Sequence, residues 1–251
     1  MQTTTLLDFH ESGCGRTAVH LATLAVGERL PTAEHPDELL YYVVDGRGIA
    51  SIYESAPDGD IYELRQDTAI YLTPRIPHEL LNAGDSPLRL VTFLVSGGVA
   101  PDGGLTWSAV TQRGAVIDAP TIGAGVAVTR VFDEGSNPSK EEGQHLRIRD
   151  IWLRRPQKLV NAEVLTVMPG RTTRLHTHYD TSETSVVLAG EGEFIWDDRA
   201  IPCAAGSVVS YPIGVQRQVV NTGRFPLTYV LIAATIDAPP EDSGVPTDSS
   251  L

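Results

Sequence analysis

Two cysteines in 251 residues, Cys14 and Cys203, are too few for a disulfide framework. Both read as structural thiols, with a single bridge between them as the alternative. Positive charge is also scarce: 19 Lys and Arg stand against 32 Asp and Glu, a formal −13. A chain this acidic is repelled by phosphate backbones and anionic lipid, which argues against nucleic-acid and membrane partners. No apolar run approaches the ~18 residues of a membrane helix. The opening MQTTTLLDFHESG lacks a basic start, and its apolar stretch is too short for a secretory signal. A cytoplasmic location is the expectation. Long helical periodicity is missing as well, which together with 23 Gly and 17 Pro argues against a helix bundle.

What the chain does have is a succession of apolar runs of strand length, rich in β-branched and aromatic residues. They fall at 17–26, 39–44, 48–54, 68–72 and 88–95, then at 163–168, 184–188, 193–196, 207–211 and 227–235. Turn signals such as Asp45-Gly46 and Glu191-Gly192 separate them. Many short strands with frequent turns predict an all-β protein of antiparallel sandwiches or barrels. Gly- and Asp-rich residues 101–145 read as a linker between domains at 1–100 and 146–237, and residues 238–251 as a disordered tail. The one basic patch, RIRDIWLRRPQK at 147–158, reads as a solvated or interface segment.

The two halves repeat one another. HLATLAV at 20–26 followed by Gly27 matches EVLTVMP at 163–169 followed by Gly170, and LLYYVVDGRG at 39–48 matches TSVVLAGEGE at 184–193. AIYLTPRIPHELLNAG at 69–84 matches VVSYPIGVQRQVVNTG at 208–223.

In the second half, His176 and His178 share one face of a strand by alternation, and Glu183 follows just beyond a turn. Two imidazoles and one carboxylate form the ligand set of non-haem Fe(II) oxygenases, and imidazole also suits Zn, Cu and Ni. Arg174 falls on the same strand face as His176 and becomes a candidate for substrate contact in the cavity lining, with an exposed rim position as the alternative. Trp196, Tyr211 and Phe194 read first as barrel core, with Trp196 and Tyr211 also weak candidates for substrate contact. His10 and His20 read as lone surface or hydrogen-bonded histidines.

Residues Gly170 to Gly190 fit at every position the first motif of the cupins, in which glycine, five residues, His-x-His, Glu and a second glycine follow at set spacings. Gly206, Pro212, Gly214 and Asn221 meet the second cupin motif, but Arg217 stands at its histidine position. The first half resembles both motifs more loosely. Gly27, His35 and Gly46 fit, with Ala33 and Leu39 at the places of the first His and the Glu. His78 and Asn82 fit the second motif, while Asp67, Thr73 and Arg75 replace its Gly, Pro and Gly. The chain therefore resembles a bicupin.

That resemblance implies two tandem jelly-roll barrels, each able to hold one metal. It leaves a degenerate N-terminal site that keeps His35 and His78 of four family ligands, in a barrel expected to be metal-free and structural or to serve dimerisation or substrate binding. Without a ligand role the two read as inward polar residues satisfied by hydrogen bonds. Glu38, one position before the ligand slot, should face away from the barrel interior. In the C-terminal barrel it assigns His176, His178 and Glu183 as ligands of one divalent metal, Fe(II) first, with Mn(II), Ni(II) or Zn(II) as alternatives. Arg217 keeps its proton and cannot be a ligand. It either clamps a substrate carboxylate or enolate beside the metal, or pairs with Glu183 and opposes the cation. Arg217 and Glu183 are the residues expected to act in the chemistry.

The expected function is metal-dependent turnover of a small organic molecule in the C-terminal barrel, of the dioxygenase type. The alternatives are a metal-assisted or metal-free isomerase, cyclase or lyase, and a non-catalytic small-molecule-binding or storage cupin. A homodimer is expected.

Overall fold

The computed structural model describes residues 1–9, 16–54, 59–96 and 158–235 in full, and the strand backbone at 126–130 and 146–151. The expected disordered tail, Cys14 and His10 lie outside the described residues. No α-helix occurs among the described residues, and none is therefore long and apolar enough to cross a membrane.

Each half folds as two facing antiparallel sheets. The large N-terminal sheet runs β1 (Gln2–Leu7), β2 (Thr17–Leu24), β9 (Leu88–Val95), β4 (Glu38–Asp45), β7 (Thr68–Leu72) and β10 (Val126–Arg130). The small one runs β3 (Arg29–Ala33), β8 (His78–Leu81), β5 (Arg47–Ile52) and β6 (Asp60–Arg65). The second half repeats this order. Its large sheet is β11 (Leu146–Ile151), β12 (Leu159–Val167), β19 (Leu227–Thr235), β14 (Thr181–Ala189) and β17 (Val208–Tyr211). Its small sheet is β13 (His176–Thr177), β18 (Gln216–Val220), β15 (Glu191–Trp196) and β16 (Arg199–Ala204). These are tandem jelly-roll barrels. The stretch expected as linker contributes β10, which pairs with β7, and the basic patch contributes part of β11, which pairs with β12.

The repeat extends to single atoms. Gly46 and Gly190 both have positive φ, 91° and 84°, and a Cβ on either would meet the carbonyl oxygen of Pro87 or Pro226 at 2.5 Å. Only glycine fits so close a backbone approach. Asn82 Nδ2 donates to the carbonyls of Leu24 and Ser86, and Asn221 Nδ2 to those of Val167 and Phe225. Each asparagine Oδ1 then accepts from a glycine amide two residues on, Gly84 or Gly223. The asparagine of the second motif is thus a buried clamp on a turn.

The barrels share a core. Val19, Leu40, Tyr42 and Tyr71 of the first large sheet join Ala162, Val164, Val230 and Ile232 of the second in one buried cluster. Glu38 lies at this junction, 2% exposed, with Tyr71 donating to its Oε1 and the amides of Lys158 and Leu159 donating to its Oε2. Strand alternation carries its neighbour Leu39 to the barrel interior and Glu38 to the other barrel.

Candidate metal centre

β13 and the residue after it carry His176 and His178, whose rings meet edge to face with centroids 4.9 Å apart. β14 carries Glu183, and β18 carries Arg217 as the Cα partner of His176. The donor atoms of His176, His178 and Glu183 all lie within 4.8 Å of one another. Glu183 is 7% exposed, whereas the His178 side chain is 38% exposed, so the group is buried at its carboxylate and open at its imidazoles.

Local hydrogen bonds set the donors. His176 Nδ1 is 2.8 Å from the carbonyl of Arg174, which assigns its proton to that nitrogen and frees the Nε2 lone pair. Glu183 Oε1 lies 3.1 Å from His178 Nε2, and its Oε2 lies 2.9 Å from Arg217 Nη1. Burial alone would raise the Glu183 carboxyl; the His178 hydrogen bond and the Arg217 charge outweigh it and hold the group below the usual carboxylate value. Neutral imidazoles and an ionised carboxylate are the forms a divalent cation takes as ligands, and three donors leave positions open for another molecule. The residues present fit such an ion.

Arg217 is paired with Glu183 in the structure. The guanidinium is 2% exposed, lies 5.4 Å from the Tyr211 ring centroid, and donates a long 3.4 Å bond from Nη2 to the Pro212 carbonyl. Tyr211 is the Cα partner of Glu183. Trp196, the Cα partner of Arg217, is half-buried with its ring 5.7 Å from that of Tyr211. Phe194 lies deeper, edge to face with Tyr211 and Tyr229.

Arg174 takes the exposed one of its two expected positions and not the cavity lining. β13 is only two residues long, so strand alternation does not extend back to 174; the side chain is exposed, and the residue touches the site through its carbonyl. Cys203 is a free, buried thiol, and burial first of all raises its pKa to about 11. His20 is buried, with Nδ1 3.2 Å from Thr5 Oγ1.

In the first barrel, His78 and Ala33 are Cα partners, as Arg217 and His176 are in the second. His78 Nε2 is 3.0 Å from the Tyr41 hydroxyl and Nδ1 is 3.0 Å from the Ile76 carbonyl. His35 Nδ1 accepts from the Asp37 amide at 3.1 Å. Burial lowers both histidines, to about 2 for His35 and about 4 for His78, so each is neutral near pH 7. The sequence reading did not single out Tyr41; its place two residues beyond Leu39 on one strand face was the available signal.

A family model described as "Cupin domain" matches residues 20–94 and 163–233, more than half of the chain. An uncharacterised protein of Methanocaldococcus jannaschii is 30% identical over 71 residues, 28% of this chain and 53% of that protein, so the match spans about half of the relative's length. AerE of Microcystis aeruginosa shares the fold, with a TM-score of 0.61 and 14% identity over 88% of each chain. An oxalate decarboxylase of Bacillus subtilis aligns with a TM-score of 0.65 and 17% identity over 86% of this chain and 68% of that one. Vicilin of hazelnut, Corylus avellana, aligns at 0.64 and 14% over 93% and 80%.

Proposed function

The chain belongs to the cupin domain family, and on that premise we propose that its C-terminal barrel is a metal-dependent enzyme site for a small organic molecule. The observation that carries this reading is the convergence of the His176, His178 and Glu183 donor atoms within 4.8 Å of one another. A bound divalent ion would supply Lewis-acid polarisation of a substrate oxygen and, as Fe(II), a site for dioxygen.

The chain's own residues do the rest. The Arg174 carbonyl fixes the His176 tautomer, and Arg217 holds Glu183 ionised by one oxygen while leaving the other beside His178. Tyr211 of the large sheet and Trp196 of the small sheet pack ring against ring, and Tyr211 also meets the Arg217 guanidinium. The first barrel supports the second through the shared core.

Oxygenation is the preferred chemistry because a two-histidine, one-carboxylate set leaves several positions open. Mn(II) is the alternative raised by the Bacillus subtilis oxalate decarboxylase, which has Mn(II) centres. A second reading, a metal-free isomerase, cyclase or lyase, is favoured by the 2.9 Å ion pair of Arg217 with Glu183, which offers the carboxylate a cation without any metal.

Anaerobic loading with Fe(II) followed by nitric oxide separates these readings. One equivalent of iron whose nitrosyl adduct gives an S = 3/2 EPR signal supports the oxygenase. Iron that binds without forming the adduct overturns the oxygenase, and failure to bind any divalent metal leaves the metal-free reading.

A further inference from the structure

Arg217 carries more hydrogen-bond donors than its neighbours use. A guanidinium offers five N–H groups in a fixed fork, and this one is among the largest fully buried side chains of the protein. Among the described residues Nη2 reaches only the Pro212 carbonyl, at 3.4 Å, and Nη1 is within ion-pair distance of Glu183 without hydrogen-bond alignment. Nε has no hydrogen-bond partner among the described residues. The buried hydroxyl of Tyr211, whose ring packs against the guanidinium, has none either. Buried donors are nearly always satisfied, so two adjoining side chains with unused ones point to an acceptor that arrives with a ligand. Both sit in register with the metal donors: Arg217 is the Cα partner of His176, and Tyr211 that of Glu183.

Charge points the same way. The Glu183 carboxylate and the Arg217 guanidinium cancel, and a metal-binding imidazole is neutral. A divalent cation held by this set would therefore leave a surplus of two positive charges in a partly buried site. A neutral ligand leaves that surplus standing, whereas an anionic one removes part or all of it.

We propose that Arg217 and Tyr211 form an anion subsite beside the metal position, and that the substrate is a carboxylate-bearing molecule gripped there by the free edge of the guanidinium and the tyrosine hydroxyl. The arginine at the motif's histidine position then exchanges one metal bond for a fixed, forked recognition element. The proposal rests on the metal reading above for its charge surplus, while the unused donors are present without it.

The test uses the full chain, metal-free and Mn(II)-loaded, with malonate and its neutral diamide malonamide as probes in titration calorimetry. Mn(II) uptake is followed separately by loss of the free-ion EPR signal. Loaded protein should bind malonate at least tenfold more tightly than malonamide. At saturating Mn(II), Arg217→Gln should lose tenfold or more in malonate affinity, and Arg217→Lys should recover only part. Tyr211→Phe, which keeps the ring, should lose several-fold for malonate and nothing for malonamide; it carries the test if near-UV circular dichroism shows Arg217→Gln misfolded. Equal affinity for the two probes, or wild-type malonate binding in the folded variants, overturns the subsite while leaving the metal reading intact. Arg217-dependent malonate binding by protein that takes up no Mn(II) keeps the subsite and overturns the metal.

Discussion

Glu38 Oε2 accepts a hydrogen bond from the backbone amide of Leu159 at 2.6 Å, so a carboxylate of the first barrel caps the first central strand of the second. The Lys158 amide and the Tyr71 hydroxyl also donate to it. Glu38→Ala would leave those donors buried without an acceptor, and the expected cost is about 3 kcal/mol. Urea unfolding should show the lower midpoint, while metal stoichiometry stays that of the wild type. An unchanged midpoint would mean that the junction does not depend on this carboxylate.

Arg75 offers a second prediction. It has φ 66°, and its counterpart in the second barrel is Gly214 with φ 75°. An L-residue in this left-handed region is strained by about 1 kcal/mol. Arg75→Gly should therefore leave stability unchanged or raise it by up to ~1 kcal/mol, and Gly214→Ala should lower it by about the same. Paired denaturation curves check both, and a clear loss in Arg75→Gly would show that its side chain matters more than its backbone.

These positions also show what the sequence could and could not reveal. Motif spacing reports turns and ligand positions, so the repeat, the barrels and the grouping of His176, His178 and Glu183 were legible. Strands such as β1, β6 and β16 were not, because each shows one largely solvated face and too little apolar content to stand apart from a loop. Alternation gave the face of Glu38 but not its partners in the second barrel, which lie 120 and 121 residues away. For Arg217 the motif gave the position without deciding between Glu183 and a ligand, since that choice depends on which strand lies opposite. For Arg174 alternation failed because the strand starts only after it.

The first barrel should be sensitive to acid. Burial, the largest cause for both, holds His35 at about 2 and His78 at about 4, below the ordinary 6.5. As pH falls, the unfolded chain takes up protons first. The stability held by the neutral rings is complete above pH 6.5 and drains as pH falls from there through about 4 for His78 and on to about 2 for His35. Its slope is at most about 1.4 kcal/mol per pH unit per histidine. Metal-free His35→Asn/His78→Gln protein should show a flatter dependence between those limits, and equal slopes in wild type and variant would contradict it.

The central claim is that His176, His178 and Glu183 hold one divalent metal. The most direct measurement is the metal content of the full chain after anaerobic reconstitution and desalting, by plasma mass spectrometry, beside His176→Ala and His178→Ala prepared identically. The account predicts close to one equivalent in the wild type and less than about a tenth in each variant, the loss of one of three ligands being enough to release the ion. Wild-type protein without stoichiometric metal, or variants that retain it, would contradict the account.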